Sequence, residues 1–184
     1  DGTTYGAFPA SVSNVFIQNC TISGNERGIR FGEPGKLNAT PAGVNVSCCK
    51  IFGNAKTYTG TDGTEYGGLI SQALTPVTAT RNWWGHVTGP DHYSNPHGTG
   101  QGGQVVVSAS GAGSVMCVPW YATNTTTLAR EFVTANHTTK ATSVIAYSDL
   151  IQKGIEAAVA GDEIIISAGT YTEQLYINKD NLTL

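Results

Sequence analysis

The loop GHVTGPDHYSNPH, at positions 85–97, holds the side chains best suited to binding a metal ion. Histidine and aspartate are ligands of zinc and other divalent metals, and the candidates here are His86, Asp91, His92 and His97. Their spacing is irregular, and a loop rich in glycine and proline would have to become ordered before it could bind. The alternative is a terminal surface loop, and we predict no resident metal and no other cofactor.

The acidic residues do not form a recognisable catalytic group. Enzymes that cleave polysaccharides need clustered carboxylates as acid and base, or carboxylates that hold calcium beside a basic residue. Asp162 and Glu163 are the only adjacent acidic pair, and successive residues of a strand point to opposite faces. The other aspartates stand singly in sequences typical of turns. The sequence therefore predicts a protein without enzymatic activity.

Two stretches in the first half of the chain repeat each other. VFIQNCTISGN (Val15–Asn25) matches VNVSCCKIFGN (Val44–Asn54) at an offset of 29 residues, and VTATRNWWG (Val77–Gly85) is a weaker third copy. Such a repeat is typical of parallel strands stacked about 4.8 Å apart, in which each layer buries its inward side chains against the next. An antiparallel sandwich, which also has short strands at regular spacing, is the alternative fold.

The repeat also bears on the four cysteines, which are Cys20, Cys48, Cys49 and Cys117. An even number would allow pairing in an oxidising compartment. The offset places Cys20 beside Cys49 on neighbouring layers, with Cα atoms about 5 Å apart, inside the disulfide range. A ladder of reduced cysteines in the core fits this arrangement equally well. The sequence thus predicts contact between these two residues and leaves their redox state open.

The composition favours strands and argues against two classes of partner. Charged residues make up 12% of the chain and glycine occurs 23 times, beside much threonine, serine and asparagine, which favours turns and strands over helices. A net charge of −3 without a basic run offers no electrostatic surface for nucleic acid or an anionic membrane. No stretch approaches the roughly 20 apolar residues that span a bilayer. The N-terminal sequence lacks the features of a signal peptide, so we expect a mature or excised segment.

Six Asn-x-Ser/Thr sequons suggest glycosylation and export. Because serine and threonine are abundant here, chance could give about half of them, so they support export only in part. The candidate acceptor residues are Asn19, Asn38, Asn45, Asn124, Asn136 and Asn181.

The stretch ATRNWWGHVTGPDHYSNPHGTGQGGQVVVS (79–108), followed by VPWY (118–121), resembles the closing segment of right-handed parallel β-helix repeat proteins of bacterial and archaeal surfaces. SDLIQKGIEAAVAGD (148–162) and the 22 residues after it resemble the opposite, opening end of the same family. The family includes carbohydrate-binding and sugar-hydrolase types. The resemblance implies an all-β, right-handed parallel β-helix with one short capping α-helix near the C-terminus.

The same resemblance implies three regions in an order reversed from that of the family. Residues 1–121 would be the closing turns of one β-helix, 122–143 a linker rich in threonine and asparagine, and 144–184 a capping helix with the opening turn of the next β-helix. Leu150, Ile151, Ile155 and Val159 would form the capping face of the helix, with Ser148 as its N-cap. Large rings are expected to close the core rather than to bind sugars; they are Trp83, Trp84, Trp120 and Tyr121.

The reversed order suggests that copies of the chain stack head to tail in an open polymer. We therefore expect a structural unit of an extracellular fibre, sheath or surface layer, whose partners are copies of itself and, secondarily, surface glycans. A carbohydrate-binding module or a fragment of a polysaccharide-active enzyme is the alternative. Docking of the C-terminal turn onto residues 1–31 of its own chain is the alternative to polymerisation. The predicted assembly residues are Ile164, Ile166, Leu175, Ile177, Leu182 and Leu184.

Overall fold

A computed structural model describes residues 12–32, 42–56, 66–73, 75–96, 100–107, 114–125, 127–128, 132–135 and 143–184. These residues form thirteen short strands and one helix, which confirms the mostly β class predicted from the sequence. In chain order they are β1 (Phe16–Gln18), β2 (Thr21–Ser23), β3 (Arg27–Phe31), β4 (Val44–Ser47), β5 (Lys50–Phe52), β6 (Gly67–Ser71), β7 (Val77–Thr78), β8 (Val105–Val107), β9 (Val115–Met116), β10 (Trp120–Tyr121), β11 (Phe132–Ala135), β12 (Val144–Ser148), α1 (Ile151–Ala157) and β13 (Glu163–Ile165).

Strands β1 to β9 form three parallel sheets, in the orders β1-β4-β7-β9, β2-β5 and β3-β6-β8. Neighbouring strands of a sheet come from successive parts of the chain. We call each such part of the chain a layer, and the described residues form four. Layer 1 contains β1–β3, layer 2 contains β4–β6, layer 3 contains β7, Trp83 and β8, and layer 4 contains β9 and β10. Phe16 pairs with Asn45 and Thr21 with Lys50, which confirms the predicted offset. Because every pair in these three sheets is parallel among the described residues, the antiparallel sandwich is wrong for this region.

The chain changes direction at equivalent positions in successive layers. The φ angle is 56° at Asn19, 55° at Cys48 and 57° at Arg81. Such left-handed conformations are uncommon for residues other than glycine and turn the backbone sharply. Because the same turn recurs, the strands that follow it lie in register with those of the layer below.

Buried asparagine amides tie adjacent layers together. In Asn82, which is fully buried, Oδ1 accepts from the Cys49 backbone N at 2.9 Å, and Nδ2 donates to the carbonyls of Val46 at 2.7 Å and Ala79 at 2.8 Å. Asn54 acts similarly between layers 1 and 2, since its Nδ2 donates to the Ile22 carbonyl at 3.0 Å. These side chains satisfy backbone groups at the turns, where the sheets do not.

The interior between the sheets is filled by the inward side chains of all four layers. Small and branched residues from the strands pack against two indole rings, and these residues are inaccessible to solvent. The fully buried apolar side chains of this core include Val46, Cys49, Ile51, Leu69, Val77, Ala79, Trp84, Cys117 and Trp120.

The glycine-rich loop of layer 3 packs closely on the rings of Trp84 and Trp120. The Trp120 indole donates from Nε1 to the Val87 carbonyl at 2.9 Å. A Cβ at Gly89, where φ is +75°, would lie 2.5 Å from the Trp120 ring, so only glycine fits there. Both rings close the core, as the sequence predicts, whereas Trp83 is half-buried.

A fourth sheet, in the order β10-β12-β11-β13, follows layer 4. β12 is parallel to β10, and β11 is antiparallel to both β12 and β13. β11 lies inside the interval 122–143, for which the sequence predicts a linker. This segment forms a strand because the Phe132 side chain is fully buried in a cluster with Ile151, Ile155 and Ile164.

Helix α1 covers this fourth sheet, but its first turn differs from the prediction. Leu150 is exposed rather than part of the buried face, and Ser148 exchanges hydrogen bonds with Leu150 without capping the helix. The Glu173 carboxylate instead accepts from the backbone N of Ile151 and of Gln152, each at 3.1 Å. A carboxylate at a helix N-terminus also complements the helix dipole. None of the described helices is long and apolar enough to cross a membrane.

Replacing Asn82 with alanine is expected to lower the free energy of unfolding by about 3 kcal/mol, because buried backbone groups would lose their partners. Asn124→Ala, at an exposed position, is the matched control and should change it by less than about 0.5 kcal/mol. Urea denaturation followed by circular dichroism measures both. Equal effects of the two substitutions would show that the Asn82 amide does not tie the layers.

Gly89→Ala and Gly53→Ala separate steric overlap from backbone strain. Both residues have positive φ, but a Cβ at Gly53 would have no neighbour within 4 Å. Gly53→Ala should therefore cost about 1 kcal/mol of strain, and Gly89→Ala about 2 kcal/mol more because of the Trp120 ring. Thermal denaturation of both variants tests this order, and a Gly89 variant as stable as the Gly53 variant would contradict the packing described above.

Candidate functional site

One continuous ladder of paired backbone segments passes through every layer and the fourth sheet. We call it the strand ladder. It begins at β2, where Thr21 pairs with Lys50, and Lys50 pairs in turn with Trp83. The Tyr121 backbone N then donates to the Asn82 carbonyl at 3.0 Å, which joins layer 4 to layer 3.

The strand ladder continues through the C-terminal part of the chain. Trp120 pairs with Ala146, Ala146 with Thr134, and Thr134 with Ile164. The last pair joins Glu163 to Thr183 in parallel, and the Ile164 backbone N donates to the Thr183 carbonyl at 2.8 Å. Because β11 is antiparallel to both of its neighbours, β13 again runs in the direction of β12 and β10. The two ends of the strand ladder therefore have the same strand polarity.

The first end of the strand ladder is apolar and open among the described residues. Phe16 is 65% exposed and Val12 is also exposed. Ile17 and Ile22 are half-buried, although their partners in layer 2, Val46 and Ile51, are inaccessible to solvent. The difference arises because layer 2 has a layer on both sides. We call Val12, Phe16, Ile17 and Ile22 the head surface.

The other end presents apolar side chains from the segment after β13. Tyr176 is 70% exposed, and Leu175, Ile177 and Leu184 are exposed as well. This segment has β13 and α1 on one side and no described layer on the other. We call Leu175, Tyr176, Ile177 and Leu184 the tail surface.

The six predicted assembly residues do not lie together. Leu175, Ile177 and Leu184 belong to the tail surface, but Ile164 is buried between β11 and α1, and Ile166 and Leu182 pack against the same cluster. Three of the six therefore face the cluster around Phe132, and the other three face solvent. Tyr176 is the member of the tail surface that the alternating pattern misses.

The C-terminal part does not pair with layer 1 in the described residues. Its β12 pairs with β10 of layer 4, at the end opposite to the head surface. The described pairs therefore give no support to docking of the C-terminal turn onto residues 1–31, which was the alternative to polymerisation.

The described residues of the candidate metal loop hold no group of three metal-binding side chains. His86 Nδ1 lies 2.8 Å from the Thr88 hydroxyl, and Asp91 forms a backbone bridge with Gln104. His97 lies outside the described residues. In the described part of the loop, His86 and His92 each form a hydrogen bond with a nearby hydroxyl group.

His92 and Cys117 form a buried pair that the sequence does not suggest, because layer stacking brings together residues 25 positions apart. Cys117 Sγ lies 3.4 Å from His92 Nδ1, which lies 2.7 Å from Ser94 Oγ. Burial raises the pKa of the Cys117 thiol to about 11 and lowers the pKa of the His92 imidazole. Both groups are therefore neutral at pH 7, and the pair offers no thiolate for nucleophilic catalysis.

An open apolar groove of about 570 Å³ lies beside this pair, between β9 and the start of β12. Its walls include Val115, Val118, Val144 and Ile145, with Tyr93 at the rim. None of the described residues that line it is charged. The groove could accept an apolar group, but the neutral Cys117 thiol gives it no reactive centre.

The remaining candidates differ in accessibility. All four cysteines are free thiols, with Cys20 exposed and Cys49 buried. Among the sequons, Asn19, Asn124 and Asn181 are exposed. Asn45 is half-buried, and its buried Oδ1 has no hydrogen-bond partner among the described residues. Asn38 and Asn136 lie outside the described residues.

The buried His92 predicts a specific dependence of stability on pH. Because folding lowers its pKa below the ordinary value near 6.5, the unfolded chain binds the proton first as pH falls, and stability is lost below about pH 6.5. His92→Gln should reduce the loss of unfolding free energy between pH 7 and pH 5. Asn124→Ala, which removes no titratable group from an exposed position, is the control and should retain the wild-type slope; equal slopes for all three proteins would contradict the assignment.

No protein-family model, curated protein or solved structure matches the chain. The head and tail surfaces are the two apolar ends of the strand ladder among the described residues.

Proposed function

We propose that the chain is a structural, self-assembling unit of an extracellular fibre, sheath or surface layer, in which copies stack head to tail. The observation that carries this proposal is the strand ladder, whose two ends are open among the described residues and have the same strand polarity. The first layer of one copy can then pair in parallel with the segment at Thr183 of another copy.

In this proposal the three parallel sheets are the faces of a right-handed parallel β-helix, as in the family that the sequence resembles. The recurring left-handed turns at Asn19, Cys48 and Arg81 support this reading, because they keep successive layers in register. Right-handedness is supported by the general rule that crossovers between parallel strands of one sheet are almost always right-handed. The fourth sheet and α1 are then the cap from which a further β-helix turn begins.

The contact would combine backbone pairing with the burial of apolar side chains. An open parallel strand edge is a template for pairing with another chain. Phe16 on the head surface and Tyr176 with Ile177 on the tail surface would lose most of their exposed area on stacking. Such a contact resembles a protein core cut in half, which is the character of obligate interfaces.

The geometry favours an open polymer over a closed dimer. The head and tail surfaces differ from each other, so their contact is heterologous, and a heterologous contact that does not close produces a filament or sheet. The exposed sequons at Asn19, Asn124 and Asn181 fit a glycosylated surface protein of a bacterium or archaeon.

A carbohydrate-binding module, or a fragment of a polysaccharide-active enzyme, is the second candidate. The observation that favours it is the exposed ring of Tyr93, at the rim of the apolar groove. Exposed aromatic rings offer an amphipathic face of the kind that stacks on sugars. A monomeric protein that binds surface glycans, and loses this binding in Tyr93→Ala, would support the second candidate over the first.

The assembly is tested by blocking one surface at a time. Phe16→Lys should block the head and Tyr176→Lys the tail, because each places a charge in the proposed contact. Tyr93 is 72% exposed, similar to Tyr176, and lies on neither surface, so Tyr93→Lys is the matched control. We expect the wild type and the control to polymerise and each blocked variant to remain monomeric, as measured by light scattering and negative-stain microscopy.

Mixing the two blocked variants gives the sharper result. The Phe16 variant retains a free tail and the Tyr176 variant a free head, so an equimolar mixture should form a one-to-one dimer and nothing larger. A monodisperse wild-type monomer, or a mixture of blocked variants that stays monomeric while each is folded by circular dichroism, would overturn the proposal.

A further inference from the structure

We propose that Cys20 and Cys49 form a disulfide under oxidising conditions and thereby lock layer 1 onto layer 2. The first support is their register. Gln18 pairs with Ser47 and Thr21 with Lys50, so Cys20 and Cys49 occupy equivalent positions between these pairs. Neighbouring parallel strands lie about 4.8 Å apart, which is within the Cα separation of disulfides.

The orientation of the two side chains is the second support. Each thiol donates to the carbonyl two residues before it, at 3.2 Å from Cys20 to Gln18 and at 3.3 Å from Cys49 to Ser47. The Cys49 thiol also reaches the Ile17 carbonyl of layer 1, at 3.5 Å. The two sulfurs therefore point in the same direction on stacked layers.

The other two cysteines have different surroundings. Cys48 lies at a left-handed turn with φ of 55°, and its sulfur faces the Tyr121 hydroxyl at 3.9 Å. Cys117 contacts His92 and Ser94 in layers 3 and 4. Cys20 and Cys49 are therefore the two cysteines whose surroundings favour a disulfide with each other.

The accessibility of the two thiols sets the order of the reaction. Cys20 is exposed, whereas burial is the largest cause that raises the pKa of Cys49. With a small disulfide such as oxidised glutathione, the Cys20 thiolate attacks one sulfur and expels one glutathione thiolate. Cys49 then loses its proton, attacks the Cys20 sulfur and expels the second glutathione. Two protein thiols are oxidised and one glutathione disulfide is reduced to two thiols.

The bond would act on the part of the fold that is least covered. Layer 1 carries the head surface and is held by neighbours on one side in the described residues. A covalent link to layer 2 would restrict its opening, because the link removes freedom from the opened state. This effect goes beyond the proposed assembly, since the disulfide itself depends only on the register of layers 1 and 2.

The test is oxidation of the intact chain in glutathione redox buffers, followed by mass spectrometry of the protein and of its unreduced peptides. We expect a loss of about 2 Da and one Cys20–Cys49 crosslinked peptide. Cys48→Ser and Cys117→Ser should retain the crosslink. Cys49→Ser should stop at the mixed disulfide of Cys20 with glutathione, and Cys20→Ser should lose the crosslink.

Hydrogen exchange provides a second measurement that does not depend on assembly. Oxidation should slow exchange of the amides of β1 and β2 several-fold in the wild type and leave it unchanged in Cys20→Ser, whose substitution is at an exposed site. A Cys20–Cys48 crosslink, or persistent glutathione on Cys20 of the wild type, would overturn the proposal. Using the monomeric Tyr176→Lys variant as a parallel sample separates this outcome from failure of polymerisation.

Discussion

The structure depends on backbone pairing between layers that are each too thin to bury their own side chains. Ile17 and Val46 pair with each other in adjacent layers, yet Val46 is inaccessible to solvent and Ile17 is half-buried. Among the described residues, Val46 has a layer on both sides and Ile17 has a layer on one side. The apolar core, the buried asparagine amides and the closing tryptophans all require this stacking. Without it, the short strands would have no interior to face, since isolated pairs of strands are marginally stable at best.

The fourth sheet preserves the strand direction of the layers before it. β11 is inserted antiparallel between β12 and β13, and two reversals restore the original strand direction. The strand ladder therefore continues beyond β11 with the polarity of the preceding layers. Because Ile164 is buried between β11 and α1, the tail surface contains fewer of the predicted residues than the alternating sequence pattern suggests.

The sequence predicts well what repeats within it and poorly what arises from distant contacts. The match of Val15–Asn25 to Val44–Asn54 predicts the register because equivalent residues occupy equivalent turns. Nothing local identifies β11, where the single residue Phe132 finds a core supplied by α1 and β13. The contact of His92 with Cys117 also depends on stacking of layers, and so could not be read from spacing along the chain.

Buried asparagine amides join adjacent layers without a charge, beside the Lys56 ammonium, which donates to the Gln101 carbonyl. Asn82 and Asn54 join layers through amide groups, whereas the ion pairs Glu26–Arg27 and Lys153–Glu156 join residues close in sequence. Dissolved salt screens exposed charges over about 10 Å at 0.1 M but has little direct effect on buried dipoles. The contribution of these amide groups to cohesion between layers should therefore vary little from fresh water to brine.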